Sequence, residues 1–170
     1  VFLALVKNGL VSFFAKFWEL LTTTPPKMEP VKEETLSKIP TWAKAHEFFE
    51  EYVPPGGKLR DGTITKNGTK SFRNQNPGNC KGVDGTFLKF DSYQRGFDYL
   101  CSYLTRAATD KHQAYVKHAK KLGKVSSGDL TVREFIDVYS PDSELIRRNY
   151  SKTIADRCGV TVDTPIKALL

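Results

Sequence analysis

Ser71-Phe72-Arg73-Asn74-Gln75-Asn76-Pro77-Gly78-Asn79 is the stretch on which the reading of this chain turns. Pro77-Gly78 forces a turn, and Arg73, Asn74, Asn76 and Asn79 crowd hydrogen-bond donors and acceptors around it. Asn side chains in such a turn often satisfy only their own backbone through Asx bonds. The stretch gains meaning from an acidic segment upstream, His46-Glu47-Phe48-Phe49-Glu50-Glu51. A carboxylic acid at the end of an apolar helix can be held protonated near neutral pH, and an amide-rich turn opposite it can hydrogen-bond a sugar. Together the two predict a glycan-cleaving site, in which some turn side chains brace the helix and one or two reach the acetamido groups of a sugar.

Cleaving a glycosidic bond requires protonation of its leaving oxygen, so the minimal need is one carboxylic acid in apolar surroundings. Trp42 to Glu51 read as a short helix with Thr41 as N-cap, ended by Pro54-Pro55-Gly56-Gly57. On that helix Lys44, Glu47 and Glu51 share a polar arc, while Trp42, Ala45, Phe49 and Tyr52 form the apolar side. Glu50 falls on the edge between them, near His46 and Trp42. It is the best-placed acid, Glu51 is the alternate, and Glu47 reads as solvated. Without the downstream turn, a glutamate at a helix end is ordinarily a surface charge. For a second carboxylate, Asp61, Asp84 and Asp91 are available, but Asp beside Gly by default makes a turn.

Downstream, Asp61-Gly62 and Asn67-Gly68 favour tight turns between short strands over residues 58 to 72, a small polar β region. Ser92 caps a helix through about Thr109, and a second helix spans Lys111 to Leu122. Thr131-Val132-Arg133-Glu134 has capping-box spacing and opens a helix that stops before Pro141. Tyr150 to Cys158 form another, ended by Gly159, and Thr164-Pro165 open the last. The fold class is therefore α+β and mostly helical, with a small β lobe.

Upstream, residues 1–21 read VFLALVKNGLVSFFAKFWELL. Asn8, Gly9, Ser12, Lys16 and Glu19 gather on one side, and Phe2, Leu10, Phe13, Phe17 and Leu20 on the other, which is the pattern of an amphipathic helix. Lys7 and Lys16 argue against a simple membrane span, whereas the basic edge and Trp18 suit a membrane interface, a partner or the main domain. The run also has the look of a poor signal-anchor. Residues 22–36 are rich in Thr and Pro and read as a linker, which leaves residues 37–170 as the catalytic domain.

The 170 residues carry a formal charge of +7, which favours an anionic partner: nucleic acid, a lipid surface or an acidic bacterial wall. Lys111, Lys117, Lys120, Lys121 and Lys124 cluster around one helix, but no helix-turn-helix or zinc spacing accompanies them. A solvated helix face is the ordinary reading, and nucleic acid is disfavoured as a partner. The 3 cysteines, Cys80, Cys101 and Cys158, are odd in number and match no disulfide scaffold, so at least one is a free thiol. With His46, His112 and His118 they lack ligand spacing, so no metal and no cofactor is expected. The aromatic share of 12% offers rings for sugar stacking, although most belong to the core by default.

The elements Ala45-x-x-Phe48-Phe49-Glu50, then Ser71 to Asn79, then Gly85-Thr86-Phe87-x-x-Phe90-x-x-Tyr93-x-x-Gly96-Phe97 resemble the lysozyme-like, peptidoglycan-cleaving domains of phage endolysins and virion lysins. Thr131-Val132-x-x-Phe135-Ile136-x-x-Tyr139-Ser140-Pro141 and Tyr150 through Gly159-Val160 keep the same order, so the resemblance covers about residues 41 to 170. Two departures stand out: Gln75 occupies a place where such domains usually have Asn, and the segment between Glu50 and Arg73 is longer. The resemblance implies a lysozyme-like fold cutting the β-1,4 bond between N-acetylmuramic acid and N-acetylglucosamine. Glu50 would be its catalytic glutamate, and Arg73, Asn74, Asn76, Asn79 and Tyr93 would contact the glycan strand. It implies a muramidase or a lytic transglycosylase, in which Glu50 protonates the leaving oxygen and then, as a base, helps the sugar's own 6-hydroxyl attack. A site of action follows too: on a virion or outside the cytoplasm at the bacterial wall, with residues 1–21 as a membrane or virion contact. Phe87-Leu88-Lys89-Phe90-Asp91-Ser92-Tyr93 fits an endo-N-acetylglucosaminidase as the alternative, and an inactive virion or wall-binding domain is the non-enzymatic one.

Overall fold

Trp42, Ala43, Ala45 and His46 recur at helical spacing and are all wholly buried, and this apolar stripe fixes the first helix, α1, Ile39–Phe49. The computed structural model describes residues 37–170; the expected amphipathic helix over 1–21 and linker over 22–36 lie outside the described residues. α1 starts earlier than its Thr41 signal suggests, because Pro40 sits in the first turn, where its missing N–H costs nothing. A four-residue helix, α2, covers Lys70–Arg73, then come α3, Tyr93–Ala108, and α4, Gln113–Lys121. The series ends with α5, Val132–Tyr139, and α6, Glu144–Cys158, with short 3-10 turns at Ser127–Asp129 and Ile166–Leu169. The architecture is α+β and mostly helical.

α1 packs on α6 and α3, and α5 packs on α6 and α4. At the centre Trp42 meets Phe135 edge-on at 4.9 Å between ring centroids, and Tyr115 stacks on Phe135 at 4.8 Å. Leu100, Leu104, Ile136 and Ile154 fill the space around these rings and are fully buried. The Thr131 capping box forms as expected, with the Thr131 hydroxyl accepting from Glu134 N–H and the Glu134 carboxylate from Thr131 N–H. Ser92 caps α3 with a single bond, its hydroxyl accepting from Arg95 N–H.

Three expectations need correction. The last long helix begins at Glu144, not Tyr150, because Ser143 caps it directly after Pro141-Asp142, and Tyr150 thus lies at mid-helix. The helix expected from Lys111 begins at Gln113, with His112 as its N-cap. The segment 58 to 72 does not pair as strands throughout: Thr69 accepts from Phe72 N–H and starts α2 inside it. What remains of the β component is a set of isolated antiparallel bridges. Lys58–Ile64 closes one loop and Lys81–Phe87 a second, while Thr131–Pro165 ties α5 to the C-terminal turn. The first two stay single because the Asp61 and Asp84 carboxylates accept the N–H groups of Thr63 and Thr86, so local Asx bonds take donors that a ladder would use.

The amide-rich turn docks directly on α3. A Cβ at Gly96 would stand 1.9 Å from the Gln75 carbonyl oxygen, so only glycine lets the helix approach this closely. The Tyr139 hydroxyl closes the other side by donating to the Gly78 carbonyl at 2.5 Å. Among the described residues no helix is long and apolar enough to cross a membrane.

Candidate active site

Glu50 is the C-cap of α1, half-buried where the helix ends and the chain reverses through Glu51, whose φ is 51°. Its two carboxylate oxygens have different partners. Oε2 accepts from Asn79 Nδ2 at 2.9 Å, and Oε1 accepts from the Tyr150 hydroxyl at 2.9 Å. Tyr150 in turn lies 2.7 Å from His46 Nδ1. The tyrosine's single proton goes to Glu50, so the His46 Nδ1–H must donate to Tyr150, and the chain runs His46 to Tyr150 to Glu50. His46 and Tyr150 are completely buried.

Burial sets the proton affinities along this chain. His46 is pushed down to about 3 by desolvation, so it stays neutral. The Tyr150 hydroxyl is held well above its ordinary range by burial and by the neighbouring Glu50 charge, so it remains a donor. Glu50 itself is raised, chiefly by burial. The Asn79 and Tyr150 hydrogen bonds oppose that rise, Asp142 adds to it through like charge, and Arg60 opposes it. The result is a carboxyl that holds its proton longer than an exposed one, with Asn79 and Tyr150 placed to donate to the anion once the proton leaves.

Glu50 opens onto a cleft of about 840 Å³. Gly78, Asn79 and Cys80 from the amide turn form one wall, and Tyr139, Ser140 and Asp142 from the end of α5 another. Tyr99, Tyr103, Arg106 and His112 extend the cleft along α3 and its exit. Cys80 is a free thiol pushed up to about 12, mainly by burial, so it lines the wall as an uncharged group. Among the described residues no cluster of three or more His, Cys, Asp or Glu is placed to hold a metal ion.

The sequence candidates separate sharply. Glu51 binds the backbone N–H and Nε of Arg60 at 2.9 and 3.1 Å and so anchors the 54–69 loop without lining the cleft. Glu47 is tied to Lys44 and the Tyr93 hydroxyl, which removes Tyr93 from the cleft as well. Arg73 donates to the Gly68 carbonyl, and Asn74 is buried at the end of α2. Asn76 is wholly buried, donating to the Cys80 and Leu88 carbonyls and accepting from Cys80 N–H. Arg73, Asn74 and Asn76 are therefore braces, and of the five candidate sugar contacts only Asn79 lines the cleft, with its φ of 46° turning its amide onto Glu50.

Asp61, Asp84 and Asp91 bond to Thr63, Thr86 and Arg95 and line no part of the cleft; the second carboxylate there is Asp142, which accepts from the Ser140 hydroxyl. Sequence reasoning missed Asp142, Tyr150, Tyr103 and Arg106 as site residues. Only His46 had a local signal, one helical turn before Glu50 on the same helix. In comparisons with known protein families, curated proteins and solved structures, nothing matches this chain.

Proposed function

We propose that residues 37–170 are a lysozyme-like, peptidoglycan-cleaving domain, a muramidase or lytic transglycosylase that cuts the β-1,4 bond between N-acetylmuramic acid and N-acetylglucosamine. One observation carries the reading: a helix-end carboxyl, raised by burial and gripped by Asn79 and Tyr150, opens onto a long cleft lined with aromatic and amide groups. Glu50 donates its proton to the glycosidic oxygen as the bond breaks, and the Asn79 and Tyr150 donors receive the resulting carboxylate. As a base, the same carboxylate takes the proton of the attacking hydroxyl. That hydroxyl is the sugar's own 6-hydroxyl in a transglycosylase and a water in a muramidase.

Asp142 favours a second reading, hydrolysis with a second carboxylate, because it shares the cleft with Glu50. Action at the bacterial wall, in a virion or outside the cytoplasm, accords with the +7 charge of the chain and the acidic polymer it would meet. Residues 1–21 would supply the membrane or virion contact.

The test is mass spectrometry of soluble fragments released from purified peptidoglycan by the full chain and by Glu50→Gln. Anhydromuropeptides that vanish in the variant identify a transglycosylase with Glu50 as its acid. Reducing muramic ends identify a hydrolase, and reducing glucosamine ends an endo-N-acetylglucosaminidase. A folded protein that releases nothing from several wall types has a binding or structural role instead.

A further inference from the structure

The end of the cleft away from Glu50 has a different chemistry. A ladder of rings leads to it: Tyr150, beside Glu50, to Tyr139 at 5.9 Å, to Tyr103 at 5.8 Å and to His112 at 4.8 Å between centroids. At this end Arg106 lies against the Tyr99 ring at 5.6 Å, and Lys111, next in sequence to His112, also lines the cleft. The cleft carries both signs of charge. Asp142 acts on Glu50, Arg106 acts on Tyr103 and His112, and Cys80 between them feels both Glu50 and Arg106.

Two polar atoms there have no partner. Arg106 Nε and His112 Nδ1 are both buried and unbonded, and among the described residues Arg106 makes no ion pair. A buried guanidinium edge without an acceptor is costly and uncommon unless something outside the chain completes it. The planar donor fork of arginine matches a carboxylate, and an exposed lysine at the rim adds charge without demanding geometry.

We propose that Arg106, with His112 and Lys111, forms a subsite for a carboxylate carried as a side group on the glycan strand, in the part of the cleft lined by α3 and its exit. The proposal rests on the glycan reading of the cleft and makes the domain selective for an acid-bearing strand over a neutral one. Two sources offer that chemistry: the lactyl carboxylate of a strand stripped of peptides, and the carboxylates of an attached peptide stem. The packed rings hold this part of the cleft fixed relative to Glu50, so a bound acid group would register the strand against it.

The test is calorimetric binding to the full chain carrying Glu50→Gln, so that no ligand is cut. Three tetrasaccharides serve as probes: neutral N-acetylglucosamine oligomer, peptide-free strand with lactyl carboxylates, and strand bearing peptide stems. The expected result is that at least one carboxylated probe binds about tenfold more tightly than the neutral one. Arg106→Gln and, separately, Lys111→Gln should erase or reduce that preference by weakening the carboxylated probes more than the neutral oligomer. Lys111 is exposed, so its variant stays informative even where the Arg106 variant folds poorly. Preference for the stem-bearing probe alone assigns the peptide carboxylates, preference for the peptide-free probe alone assigns the lactyl carboxylate, which is an amide in the stem-bearing strand, and equal preference for both shows that the subsite accepts either carboxylate. Equal binding of all three probes, no binding of any, or a preference indifferent to both substitutions overturns the subsite. Wall cleavage by the unsubstituted chain, measured alongside, separates this outcome from failure of the Glu50 reading: cleavage without preference removes only the subsite, and preference without cleavage removes only the acid.

Discussion

The two oxygens of Glu50 keep unequal company, and that inequality decides where its proton sits. Oε1 is committed as acceptor to Tyr150, whose own oxygen is occupied by His46 Nδ1–H, so a proton on Oε1 would require the whole buried chain to reverse. Reversal would leave an N–H on the unpartnered His46 Nε2, a costly group to bury. The acid proton therefore belongs on Oε2, beside Asn79, whose Oδ1 has no partner and can face it by an amide flip. In the mechanism proposed above the acid form of Glu50 is the competent one, so the expected activity falls as pH rises through its raised pKa. Tyr150→Phe removes a bond that lowers that pKa and should move the basic limb of the pH–kcat/KM profile to higher pH. Asp142→Asn removes a charge that raises it and should move the limb to lower pH. Profiles of wall-fragment release for the two variants check this, and shifts of the same sign would contradict it. Tyr150→Phe also strands the His46 Nδ1–H and should cost about 2 kcal/mol of stability. From sequence, His46 could be placed near Glu50 by helical spacing, but Tyr150 stands far along the chain and no local rule pairs them.

At the level of elements, caps carried most of the legible information. Ser92 and Thr131 announced α3 and α5 because their side chains bond the very N–H groups the helix leaves free. Ser143 caps α6 just as well, but Pro141 two residues before it masks that signal in the sequence. Asp-Gly pairs mark turns without guaranteeing strands on either side, because these turns spend donors on their own side chains. The amide stretch was recognised as important, yet its division of labour was not readable: Asn76 holds three backbone groups while Asn79 holds Glu50, and both look alike in sequence. The contact between this turn and α3 depends on Gly96. Gly96→Ala should destabilise the domain by about 1–3 kcal/mol, because the Gln75 carbonyl is backbone and must move as a unit. A lowered urea midpoint with an unchanged m-value checks the prediction, and an unaffected midpoint would show that the turn yields freely.

Across the described domain, the order of helices was readable from periodicity and capping, whereas the cleft was not. Its walls come from the amide turn, α3 and the end of α5, and no single segment carries the pattern of a wall. Charge was legible only as a sum, so the basic end of the cleft at Arg106 and Lys111 disappeared into the surplus of the whole chain.

The two bridged loops divide the domain in another way. α1 and α6 are locked into the ring core, but the 54–69 and 79–90 loops are each closed by one bridge and a few turn bonds. In deuterium exchange, the amides of residues 58–64 and 81–87 should exchange well before those of 43–49 and 151–158. Equal protection in both sets would refute that division. Glu50 thus rides on the part of the chain that opens last, and the cleft rim at Lys81, Gly82, Val83 and Phe87 on a part that opens first. Insertions and substitutions in that loop can reshape the mouth of the cleft while the carboxyl at its base stays where it is, so the selectivity and the chemistry of the site can change independently.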